Sequence, residues 1–72
     1  MQSETYRGFS VWGHAIKEQQ EILEHERYAA SGTVTKDGKF VQASGILAVV
    51  DSETDAENMG LEWARAWVDN HA

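Results

Sequence analysis

The stretch Thr33-Val34-Thr35-Lys36-Asp37-Gly38-Lys39-Phe40-Val41-Gln42 decides the fold. Asp37-Gly38 lies between two runs of β-forming residues, and Asp-Gly is a preferred centre for a two-residue type I′ hairpin because both central positions need positive φ. Fixing that turn fixes a register. Thr35 falls opposite Phe40, Val34 opposite Val41, Gly32 opposite Ala43, Ala30 opposite Gly45 and Tyr28 opposite Leu47. Side chains alternate across a sheet, so one face carries Val34, Val41, Gly32, Ala43, Ala30, Gly45, Tyr28 and Leu47. The other carries Thr35, Phe40, Thr33, Gln42, Ser31, Ser44, Ala29 and Ile46. The first set is apolar and is the expected core face; the second is largely hydroxyl and amide.

The middle of the expected core face is small, with Gly32, Ala43, Ala30 and Gly45 together, and interiors are close-packed. The C-terminal segment supplies the missing bulk. From residue 54 the apolar period changes from 2 to 3.6, placing Ala56, Gly60, Trp63, Ala64, Trp67 and His71 on one helical stripe with Met59 at its margin. Asn58, Glu62, Arg65 and Asp69 share the opposite side. Two indoles seated over glycine and alanine make a large-into-small fit, so Trp63→Ala or Trp67→Ala is expected to cost about 3–5 kcal/mol. Gly60 on that stripe, unfavourable for a helix, points to close approach of helix and sheet. Thr54-Asp55-Ala56-Glu57 reads as a capping box, and a start at Ser52 is the alternative. Asn70 is placed to close the helix in the left-handed conformation.

Towards the N-terminus, Tyr6-Arg7-Gly8-Phe9-Ser10-Val11-Trp12-Gly13-His14-Ala15-Ile16 is rich in β-formers and reads as one strand. The expected elements are a strand over 5–16, a loop-like hairpin connection over 17–26, strands over 27–36 and 39–50, and a helix over 53–70. The fold class is then α+β in a single domain, 1–72: a three-stranded antiparallel β-meander with one C-terminal helix packed on one face, β-β-β-α.

Composition narrows the function classes. The chain has 72 residues and no cysteine, so disulfides and thiolate metal sites contribute nothing to it. No apolar run approaches the roughly 20 residues of a membrane span, and Met1-Gln2-Ser3-Glu4 does not read as a signal sequence, so a soluble, cytoplasmic protein is expected. Twelve acids against six bases give a net charge of -6. The bases are not clustered, which disfavours binding to nucleic acid or to anionic lipid. Residues 51–72 hold six of the acids and the single base Arg65, so most of the net charge accumulates there, with Asp51, Glu53, Asp55 and Glu57 at the positive end of the helix dipole.

Signals for chemistry are weak. Glu21, Glu24, His25 and Glu26 are close in the chain, yet no paired-histidine or His-Glu-x-x-His spacing accompanies them, and metal binding is not expected. Ser10, Ser31 and Ser44 lie on expected strands without a nucleophile elbow, Ser31 and Ser44 facing each other across the hairpin. The glycines form no phosphate loop. Neither catalytic residues nor cofactors are therefore expected, and the chain does not read as an enzyme.

Four segments carry a resemblance: Tyr6-Arg7-Gly8-Phe9, Lys36-Asp37-Gly38-Lys39, Asp51-Ser52-Glu53, and Glu62-Trp63-Ala64-Arg65-Ala66-Trp67-Val68-Asp69. In these the chain resembles an uncharacterised family of short, stand-alone proteobacterial domains. The resemblance implies the β-β-β-α fold and no particular activity or site. The element order also resembles the later part of double-stranded RNA-binding domains. Those need a lysine-rich start to the last helix, where this chain has Asp51-Ser52-Glu53-Thr54-Asp55, so that mode of RNA binding is rejected.

What remains is surface. One helix covers one sheet face, and the other must meet water or another molecule. Phe40, Ile46 and Ala29 add apolar area to its hydroxyls, with Phe9, Val11 or Trp12 as further contributors from the first strand. The expected function is a small non-catalytic interaction module, a homodimer or the binder of a protein partner, using this face or an edge strand through Phe40, Ile46, Thr33 and Trp12. The alternative is an acidic adaptor that receives a basic protein through residues 51–62.

Overall fold

The computed structural model describes residues 1–18 and 26–72. The expected α+β class holds, but the sheet has five strands rather than three. They are β1 (Gln2–Tyr6), β2 (Phe9–Lys17), β3 (Tyr28–Lys36), β4 (Lys39–Ala43) and β5 (Ala48–Val50), followed by α1 (Glu53–His71). The antiparallel path runs β1-β2-β3-β4, and β5 pairs with β3 beyond the end of β4.

Two expected strands are each divided. The strand expected over 5–16 folds back on itself at Arg7-Gly8, where φ is 52° and 86° and Tyr6 pairs with Phe9. This is a second two-residue hairpin built like Asp37-Gly38, whose φ values are 52° and 77°. The strand expected over 39–50 breaks after Ala43. Its register is as expected at Thr35↔Phe40, shifts by one at a bulge that leaves Val41 unpaired, and gives Thr33↔Ala43 in place of Gly32↔Ala43. Gly45, at φ 72°, lets the chain bow out before Ala48 returns opposite Ala30. Ser44 therefore does not face Ser31: its amide donates to the Gly32 carbonyl at 2.9 Å, and its Oγ accepts from the Gly32 amide at 2.8 Å. Gln42 moves to the helix side of the sheet, and Gly45 leaves the core face altogether.

On β2 and β3 the alternation is regular. Val11 and Gly13 pair with Val34 and Gly32, all four buried beneath the helix. The expected connection over 17–26 lies mostly outside the described residues. At its ends Lys17 pairs with Tyr28, the Glu18 amide donates to the Arg27 carbonyl at 2.9 Å, and Lys17 Nζ meets Glu26 at 2.7 Å.

The helix begins at the alternative cap. Ser52 is extended, and its Oγ accepts from the Asp55 amide at 3.3 Å. Glu57 does not reach back to Thr54, because its carboxylate is turned down to the N-terminal strand, where it receives the Met1 ammonium and Gln2 Nε2. Asn70 stays helical, donating Nδ2 to the Ala66 carbonyl at 2.9 Å; Ala72 caps the helix.

Glycines set the contact between helix and sheet. A Cβ on Gly60 would overlap the carbonyl oxygen of Ser31 and lie 2.9 Å from Gly13 Cα. One on Gly13 would overlap the Glu57 carbonyl oxygen, and one on Gly32 would overlap that of Gly60 and sit 2.9 Å from Trp63 Cε3. At so close an approach the space beneath the helix axis admits no indole. Ala56, Gly60, Leu61, Ala64 and Val68 form the buried stripe, and the central cluster is Val11, Val34, Leu61, Ala64 and Val68. Trp63 and Trp67 are half-buried at the margin and pack against that cluster together with Tyr6, Phe9 and Val41. Of the expected indole-filled hollow of Gly32, Ala43, Ala30 and Gly45, only the edge of the Trp63 ring against Gly32 is found, and the centre is a backbone-to-backbone contact at Gly13, Gly32 and Gly60.

Gly60→Ala gives a sharp test. Alanine favours a helix by about 1 kcal/mol over glycine, but here the overlap dominates. Chemical denaturation should show a net loss of about 3 kcal/mol or more; an unchanged or raised midpoint would contradict the close approach.

Candidate interaction surface

The helix lies on the face bearing Val11, Gly13, Gly32 and Val34, so alternation turns the neighbouring residues outward. From β1 these are Ser3 and Thr5; from β2, Ser10, Trp12, His14 and Ile16; from β3, Ala29, Ser31, Thr33 and Thr35. Phe40 and Ala43 on β4 and Val49 on β5 join them through their pairing with Thr35, Thr33 and Ala29. Of the four expected surface residues, Trp12 and Thr33 are direct cross-strand partners, and Phe40 lies one strand further out. Ile46 lies in the bow between β4 and β5 and is 61% exposed, while Phe40 is 68% exposed. Phe9 and Val11 belong to the helix side.

Two residues missed from sequence complete the apolar part. Ile16 and Val49 flank Ala29 across three strands, 50% and 41% exposed, while Ala29 between them is 5% exposed. Ile16 was legible in the alternation Trp12-x-His14-x-Ile16. Val49 was not, because its side depends on the two register changes after Phe40.

The polar groups here are paired within the sheet. Trp12 Nε1 donates to Thr35 Oγ1 at 3.1 Å, and His14 Nε2 lies 3.0 Å from Thr33 Oγ1. A histidine beside a hydroxyl is the first element of nucleophilic catalysis, but a working dyad also needs a third group to fix the imidazole. Among the described residues Thr33 is the hydrogen-bond partner of the ring. No cluster of three or more His, Asp or Glu is placed to hold a metal among the described residues; Glu21, Glu24 and His25 lie outside them. Among the described residues no helix is long and apolar enough to cross a membrane.

Charge is distributed unevenly. Among the described residues, the open face between Ser3 and Val49 carries neither a carboxylate nor an ammonium or guanidinium group; Arg27 and Asp51, 3.8 Å apart, stand at its end. Glu4, Glu57 and Asp69 lie on the helix side and are engaged. Glu4 meets Arg65 at 2.6 Å, and this hydrogen bond holds the Glu4 carboxyl below the usual range. Asp69 accepts from the Tyr6 hydroxyl at 2.9 Å and from Arg7 Nη1 at 3.0 Å, and these two contacts, the hydroxyl first, lower its pKa. Together they strap β1 to α1. Of the acids in 51–62, Glu57 is buried, whereas Glu53, Asp55 and Glu62 face solvent.

No known protein family, curated protein or solved structure matches this chain.

The strap has a defined pH response. A carboxyl whose folded pKa is depressed contributes stability above its unfolded pKa, and that contribution is lost as pH falls through the folded value. Acidification below the ordinary carboxylate range should therefore loosen β1 from α1. Tyr6→Phe removes the larger cause at Asp69, so NMR titration should find the Asp69 midpoint raised, and raised more than in Arg7→Gln. The reverse order would show that the guanidinium dominates.

Proposed function

We propose that this protein is a small non-catalytic interaction module that associates with a second copy of itself through the open sheet face. The observation that carries this reading is the absence of ionised groups, among the described residues, from the stretch of that face between Ser3 and Val49 in a chain of net charge -6. Two identical acidic chains repel wherever their helix sides meet. The described part of the open face between Ser3 and Val49 lets them approach without opposing carboxylates, and it presents Trp12, Ile16, Phe40 and Val49 as apolar contacts, with the exposed Ile46 in the bow between β4 and β5. Membership of the short proteobacterial family belongs to the same proposal, resting on the four segments that carry the resemblance.

The size of the face sets the strength to expect. Strands of five, nine, nine, five and three residues rise about 3.3 Å per residue and lie about 4.8 Å apart, so together they offer on the order of 500 Å². Standard interfaces bury about 800 Å² per partner, and smaller ones are weak and transient. Association is therefore expected with a dissociation constant on the order of 10 µM or weaker.

Sedimentation velocity over a concentration series tests this. The wild-type chain should shift from monomer towards dimer at about 10–100 µM. Ile16→Glu or Val49→Glu should abolish the shift while leaving the circular dichroism unchanged, since each places a carboxylate where the two faces meet. Glu62→Lys, on the helix side, should retain it. A wild-type chain that stays monomeric throughout would remove the reading.

A further inference from the structure

His14 is the titratable side chain at the centre of the uncharged face, flanked along β2 by Trp12 and Ile16 and paired across β3 with Ser31. Its Nε2 is held by Thr33 Oγ1. Among the described residues, the groups around it would leave an imidazolium charge uncompensated. β3 presents Ser31, Thr33 and Ala29 beside it, none of them ionisable. On the β1 side the next position is Met1, whose ammonium is engaged by Glu57. The helix carboxylates lie on the other side of the sheet, Glu57 buried there and Glu53, Asp55 and Glu62 facing solvent. Among the described residues, the first ionised groups along the open face are Glu18 and Arg27, beyond Ile16, with Asp51 beside Arg27.

We propose that protonation of His14 switches the self-association off, so that two copies separate as pH falls through the imidazole range. The inference rests on the self-association reading and adds its control. A neutral imidazole can enter an apolar interface with its hydrogen bond to Thr33 intact. An imidazolium there loses its water without gaining a carboxylate, which disfavours the charged form. The proton thus binds the monomer better than the dimer, and by linkage acid favours the monomer. In a dimer of identical chains the effect enters twice.

The sign distinguishes this switch from bulk electrostatics. Acidification makes a chain of charge -6 less negative, which by itself strengthens self-association. Weakening in acid therefore requires a local cause at the interface.

The experiment compares sedimentation of the full chain at about pH 7.5 and about pH 5.5, a span over which imidazoles change charge. The wild-type dissociation constant should rise about tenfold or more on acidification. His14→Gln, neutral at both values, should dimerise at both with little change, and His14→Lys, carrying a fixed charge, should be monomeric at both. In the unmodified chain, NMR titration should place the His14 midpoint lower in concentrated than in dilute samples, a readout that needs no variant. A dimer whose affinity ignores pH, or a His14→Gln dimer that still responds to it, overturns the switch and leaves the self-association reading standing. A wild-type chain that is monomeric at both values overturns both.

Discussion

The close approach of the helix backbone at Gly60 to the paired glycines Gly13 and Gly32 is the constraint on which the rest of the structure depends. None of these positions has room for a Cβ. Bringing a helix this near a sheet leaves a thin layer for side chains, and the residues that fill it are accordingly modest in size: Ala56, Ala64, Val11, Val34 and Val68, with Leu61 the largest. The indoles of Trp63 and Trp67 are excluded from the centre and close the margin instead. There Phe9 meets Trp67 edge-on at 6.3 Å, and His71 stacks on Trp67 at 4.1 Å. The Nδ1 of His71 lies 2.8 Å from the Trp67 carbonyl oxygen. Since a carbonyl only accepts, that nitrogen carries the proton.

Placing the helix also sorts the charge. Its outer side and the strand beside it hold Glu4, Arg65, Asp69 and Arg7, which cross-link β1 to α1 through exposed pairs. Exposed pairs of this kind contribute little each, but they fix where the acids lie. With Glu4, Glu57 and Asp69 committed to the helix side, the described part of the opposite face between Ser3 and Val49 is left to hydroxyls, Trp12, His14 and apolar side chains. The uncharged face and the charged straps are two consequences of one asymmetry, the packing of α1 on one side of the sheet.

Legibility in the sequence followed local chemistry. Asp37-Gly38 announces its turn because both residues tolerate positive φ, and the alternation of β3 away from that turn is regular, so Gly32 and Val34 are placed correctly from residue types alone. The helix and the unusual position of Gly60 are equally plain from the 3.6 period. Arg7-Gly8 was hidden because arginine at positive φ is uncommon, and without that turn β1 and β2 read as one strand. The bulge at Val41 and the bow at Gly45 were hidden for a different reason. A two-residue period says which side a residue takes only while the register holds, and each extra residue inverts the assignment. Hence Thr33, Trp12 and Phe40 were legible as one surface, whereas Val49 was not.

A thin core and an open face bear on each other. The central cluster contains three valines, one leucine and one alanine, with the half-buried aromatics around it. Domains of this size bury only about 60% of the surface their unfolded chains expose, and they often gain stability by associating. Covering Ile16, Val49 and Phe40 with a second copy buries apolar area that the lone helix cannot reach, since it lies on the other side. A second helix on the open face would serve the same end within one chain, but Trp12 and His14 stand where the helix side has Gly13 and Gly32. Side chains of that size keep a helix backbone from the approach made opposite. They suit a second sheet better, because stacked sheets pack at a spacing of about 10 Å, which leaves room for large side chains from both.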